Sequence, residues 1–191
     1  MILDQNIGFI MGRIVKLFTI FLFLGGSMGL KAQAHENGSA PYVKYANEII
    51  RSFTDEMNKE YGVVCIGSGG RMPYDVEEMS VEFVAYQKAT IEQARELEVK
   101  ATERLLKIIN GHEKIRPFLR EYPFKANRAE VAISFRNKDN DFYSDGSIAR
   151  VTQIRNKIYY RKYSLLTDQL QPLAEEPYEE ALIKVRKSTQ K

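Results

Sequence analysis

Apolar residues recur every three or four positions across residues 42–61. Tyr42, Tyr45, Ala46, Ile49, Ile50, Phe53, Met57 and Tyr61 share one face, with Lys44, Arg51, Asp55 and Lys59 between them. That period predicts an amphipathic helix. Ser39 and Pro41 suit its start, and Gly62 suits its stop. A short apolar run at 63–66 predicts a strand, followed by a loop through Gly67, Ser68, Gly69, Gly70, Arg71, Met72 and Pro73. Over 78–86 the period changes to two. Met79, Val81, Phe83 and Ala85 alternate with Ser80, Glu82, Val84 and Tyr86, which predicts a second strand.

Thr90, with Gln93 three residues on, forms a capping box at the start of another helix. Ile91, Ala94, Leu97, Ala101, Leu105 and Ile108 make its apolar face, and Asn110-Gly111 ends it. Val131, Ile133 and Phe135 mark a third strand. A polar turn over 137–147 leads to a hairpin of strands at 148–154 and 158–163, closed near Arg155-Asn156-Lys157. A last helix is expected over 178–187, with Glu179 and Glu180 in its first turn and Lys184, Arg186 and Lys187 in its last, matching its dipole.

The order α-β-β-α-β-β-β-α predicts a two-layer α+β domain. It comprises a mainly antiparallel sheet of about five strands with helices packed on one face. The last three strands are joined too briefly for parallel crossovers and are expected to form a meander. Val84, Tyr86, Tyr159 and Tyr163 make the other face more apolar than a fully wetted one requires. That face is therefore expected to be partly covered or to be a working surface.

The N-terminus follows a different logic. Residues 17–30 are uncharged and apolar or small, Arg13 and Lys16 precede them, and Ala32-Gln33-Ala34 follows. This is the arrangement of a secretory signal peptide, too short for the ~20 residues of a membrane span. Residues 1–34 are thus expected to be a leader, with Met11 a better start than Met1. Residues 35–191 are expected to be a single mature domain, periplasmic or extracellular. The leader carries Arg13, Lys16 and Lys31 against Asp4 alone, so its loss brings the net charge of +3 close to neutral. That balance removes any global argument for nucleic acid. Cys65 is the single cysteine, so an exported domain has no internal disulfide and depends on its core.

Candidate chemistry is sparse. Gly67, Ser68, Gly69, Gly70 and Arg71 offer successive backbone N–H groups for an anion or ligand, but match neither a P-loop nor a dinucleotide fingerprint. Cys65 reads as a buried small hydrophobe; as a nucleophile it would need a histidine, and His112 is the internal candidate. Asp139, Asp141 and Asp145-Gly146 resemble a calcium loop in composition. In the one register that places the glycine, Thr152 stands where a bidentate glutamate belongs. No catalytic, metal or cofactor constellation emerges.

The one local charge asymmetry lies in the C-terminal hairpin. Between Ser147 and Thr167 there is no acid, while Arg150, Arg155, Lys157, Arg161 and Lys162 are interleaved with Tyr159, Tyr160 and Tyr163. Arginine and tyrosine together are favoured at interfaces. The expectation is a non-enzymatic exported binding protein that takes an acidic protein or envelope partner on this hairpin. The alternative is a small exported hydrolase or ligand-binding protein built on Cys65, Gly67–Arg71 and His112. Mass spectrometry of the exported protein should find His35 at the mature N-terminus. An intact Met1 or Met11 terminus would overturn the leader assignment.

Overall fold

The computed structural model describes residues 40–189; the expected leader lies outside them. Helix α1 (Pro41–Tyr61) buries Tyr42, Ala46, Ile49, Phe53 and Met57. It stops where Gly62 turns left-handed (φ +66°) and its N–H reaches Asn58 O. Strands β1 (Val64–Arg71) and β2 (Glu78–Ala85) pair antiparallel. Helix α2 (Ile91–Gly111) opens with the Thr90–Gln93 capping box and buries Ala94, Leu97, Ala101 and Leu105 as the periodicity requires. It returns the chain to β3 (Ala129–Phe135), which lies parallel to β2. Strands β4 (Ile148–Ile154), β5 (Lys157–Ser164) and β6 (Gln169–Pro177) continue antiparallel, and α3 (Tyr178–Thr189) closes the domain.

The result is an α+β domain with six strands in sequential order, β1-β2-β3-β4-β5-β6. Helix α2 packs centrally against β3 and β4, with α1 beside it toward β1 and α3 beside it toward β5 and β6. All three helices therefore lie in one layer. Met79, Val81, Phe83, Val131, Ile133, Phe135, Val151, Ile158 and Tyr160 meet them as the sheet's contribution to the core. Phe53 of α1, for example, meets Phe83 of β2 edge-on at 5.5 Å.

Two features depart from the periodicity. The glycine run expected as a loop is the outer part of edge strand β1, with Gly67, Gly69 and Gly70 opposite Glu82, Ser80 and Met79. Gly70 is required there, because a Cβ would stand 2.2 Å from the Glu78 carbonyl oxygen. Strand β6 was not anticipated. Its Pro172 and Pro177, and a register shift opposite Tyr160/Arg161, erase the period-two signal. An edge strand tolerates prolines because the missing N–H faces away from the ladder.

Glu176 of β6 holds the layers together. Its carboxylate accepts hydrogen bonds from Arg95 Nε of α2 (2.6 Å), Tyr160 Oη of β5 (2.5 Å) and Lys184 Nζ of α3 (2.6 Å). Burial pushes the carboxyl up, but the bonds from Lys184, Tyr160 and Arg95 outweigh it and hold the group below its ordinary range.

Glu98 is the opposite case. It is fully buried on α2 beside Thr102, under Gln153 of β4, whose backbone N–H reaches Glu98 Oε1 at 3.1 Å. Glu98 Oε2, Thr102 Oγ1 and Gln153 Oε1 have no partner. Burial pushes the Glu98 carboxyl well up, against only partial relief from the Gln153 N–H.

Gly70→Ala should lower the melting temperature, because the backbone of β1 or β2 must shift. Gly67→Ala and Gly69→Ala should cost less, since their added Cβ atoms meet only side chains, at 4.0 and 3.4 Å. Equal losses at all three positions would contradict this.

Glu98 carries a pH consequence. Its folded pKa lies above the unfolded one, so its stabilisation is complete below the ordinary carboxylate range and is lost as pH rises through the folded value. Glu98→Gln, which keeps the shape and cannot ionise, should gain on wild type in thermal unfolding as pH rises above the ordinary carboxylate range. A pH-independent difference would refute that account.

Candidate partner-binding face

Alternation along each strand leaves the second face of the sheet to Glu78, Ser80, Glu82 and Val84 of β2, and Glu130, Ala132 and Ser134 of β3. On β4 and β5 it carries Arg150 and Thr152, then Lys157, Tyr159, Arg161 and Tyr163. None of the described helices packs on this side. The charges separate by strand, with carboxylates on β2 and β3 and cations with tyrosines on β4 and β5.

Several of the hairpin bases are neutralised by acids distant in sequence. Arg150 pairs with Glu82 across β3, donates to Ser134 Oγ at 3.2 Å, and is three-quarters buried as a side chain. Lys157 Nζ pairs with Glu175 Oε1 of β6 at 2.5 Å. The acid-free stretch in the sequence is therefore not an acid-free surface, because β2 and β6 supply carboxylates from either side. Tyr163 Oη donates to Asp168 Oδ1 at 2.5 Å, and Arg155 occupies the β4–β5 turn with φ +49°.

Arg161 differs. Its side chain, like those of Arg155 in the turn and Lys162, makes no hydrogen bond or ion pair among the described residues, and it is exposed at the register shift between β5 and β6. Tyr159 and Tyr163 flank it on the same face, each half-buried. On the acidic side, Glu130 also lacks a direct partner. Burial, then the nearby charges of Glu78 and Glu82, push its carboxyl up, and Arg150 offsets them in part.

The glycine segment contributes a shallow groove of about 290 Å³ on this face, bounded by Gly67, Ser68, Gly69, Glu82, Glu130 and Arg150. Arg71 is not free to bind an anion there, because it pairs with Glu77 at 2.5 Å. Gly67–Arg71 is extended along β2, so its successive N–H groups point alternately toward and away from β2 and form no concave nest.

Cys65 and His112 are far apart. His112 caps the end of α2, stacks near Tyr45 (5.7 Å), and approaches Glu48 Oε2 at 3.5 Å, both in the first half of α1. Cys65 follows the other end of α1, and its Sγ lies 3.5 Å from Gly67 O. At 1.5 Å per helical residue these ends of α1 are on the order of 20 Å apart. The thiol and the imidazole thus share no site. No protein-family model, curated protein or solved structure matches the chain, so these residues and their geometry carry the functional argument.

Proposed function

We propose that the chain is an exported, non-enzymatic binding protein that docks an acidic protein or envelope partner on the β4–β5 half of the sheet face opposite the helices. Export rests on the leader pattern of residues 1–34. Binding rests chiefly on one observation: Arg161 stands exposed and unneutralised between Tyr159 and Tyr163, while Arg150 and Lys157 beside it are paired within the fold. An unpaired guanidinium retains its donors for a carboxylate or phosphate, and the flanking rings supply contact area that loses little entropy on ordering. No helix among the described residues is long and apolar enough to cross a membrane.

The structure narrows the residues to be tested. Arg150 has a load-carrying ion pair and hydrogen bonds, so its replacement would confound folding with binding. Arg161→Glu and Tyr159→Ala perturb the face while leaving those contacts in place. Each should reduce capture of envelope partners at least tenfold in quantitative affinity mass spectrometry, with stability changed by only about 0.5 kcal/mol for an exposed site such as Arg161. Folded variants that retrieve the same partners at wild-type levels would refute the proposal.

A further inference from the structure

A cavity of about 550 Å³ lies at one end of the sheet, where Tyr163 borders the docking half of the face. Arg136, just after β3, and Asn137, Asn140, Asp141 and Phe142 of the β3–β4 loop form one wall. Tyr163 and Leu165, with Asp168, Gln169 and Leu170 around the β5–β6 turn, form the other. The β3–β4 loop and the β5–β6 turn, distant in sequence, therefore enclose a common space.

Its chemistry is mixed in a definite way. The rings of Phe142 and Tyr163 lie 5.5 Å apart and 32° from parallel, a tilted aromatic pair on the cavity wall. The Arg136 guanidinium covers part of Phe142 at 4.3 Å and donates through Nη1 to Asn140 O at 2.8 Å. Its Nε–H is buried without an acceptor. Asp168 is held by the Tyr163 hydroxyl through one oxygen, and that bond leads the effects raising the Tyr163 pKa. The Asp141 carboxylate makes no hydrogen bond or ion pair among the described residues, whereas its backbone N–H is fixed by Asn137 Oδ1 at 2.9 Å. The loop is thus organised by its backbone, and the Asp141 side chain is spare.

Opposite charges in one cavity disfavour a strongly charged ligand of either sign. A purely apolar ligand would leave Asp141 and Arg136 desolvated without partners, which is costly. A neutral polyhydroxylated ring satisfies both demands. Its hydroxyls donate to Asp141 and Asp168 and accept from Arg136 and the Asn140 amide, while its C–H face lies on an aromatic ring. We infer that this cavity is a binding site for a neutral carbohydrate, formed by the aromatic pair Phe142–Tyr163 and the polar groups of Arg136, Asp141 and Asp168.

Tyr163 borders both the cavity and the docking face, but Arg161 is outside the cavity wall and Asp141 is outside the docking face, so Arg161→Glu and Asp141→Ala separate the two sites. The probe is an immobilised array of short neutral oligosaccharides, with the full chain as analyte and hits measured in solution by calorimetry. Wild type should retain at least one neutral sugar with a Kd at or below about 1 mM. Asp141→Ala, which removes only the spare carboxylate, should weaken that binding at least tenfold with an unchanged melting temperature. Tyr163→Ala should abolish it, and Tyr163→Phe, which keeps the ring, should retain most of it. Retention of no neutral sugar by wild type, or wild-type affinity in folded Asp141→Ala and Tyr163→Ala, would overturn the assignment. Binding confined to anionic sugars would overturn it as well.

Discussion

The fold depends on one carboxylate in an unpromising place. Glu176 sits on the last strand at the sheet's edge, where pairing exists on one side only and prolines interrupt the ladder. By accepting from α2, β5 and α3 together, it converts that edge into the point where the helical layer is fastened to the sheet. Arg95 is mostly buried, so removing Glu176 would strand a guanidinium and a tyrosine hydroxyl, a far larger loss than any exposed pair can cause. The lowered pKa of Glu176 makes this fastening an acid-sensitive one, present above the ordinary carboxylate range and lost as pH falls through the folded value.

What could be read from the sequence follows the strength of local periodicity. Helices α1 and α2 were legible because their buried residues, such as Ile49, Phe53, Leu97 and Leu105, fall at strict helical spacing, with Gly62 stopping α1 and Thr90 opening α2. Strands β2 and β3 were legible because each alternates cleanly. The α+β class follows from these four elements and the C-terminal hairpin. Strand β6 was not legible, since neither its prolines nor its glutamates resemble a strand, and only the partner β5 reveals its register. The glycine run failed for a related reason. Residues without side chains carry no period, and extended glycine is indistinguishable from loop until a neighbour pairs with it.

The candidate site shows the complementary limit. The hairpin bases were visible, but their neutralisation was not, because Glu82 and Glu175 come from strands outside that stretch. Charge read along a chain measures composition, whereas charge on a sheet is set by neighbours a strand away. Arg161 stands out after that correction by its place between Tyr159 and Tyr163, since Arg155 in the turn is also unpaired among the described residues. The cavity beside Tyr163 was equally hidden, since it arises from the approach of two separate turns. Asp141 and Phe142 had been visible only as parts of a loop with an incomplete calcium register.

The two edges of the sheet differ in a way that limits assembly. Strand β6 carries Pro172 and Pro177, which offer no N–H to an incoming strand, whereas β1 presents Val64 and Ile66 exposed along a proline-free edge. Growth by strand addition is therefore possible from one side only. If two copies met β1 to β1, the enlarged sheet would end in β6 at both margins, and no adhesive edge would remain. The same asymmetry that lets the sheet accept one neighbour prevents it from propagating into a fibre.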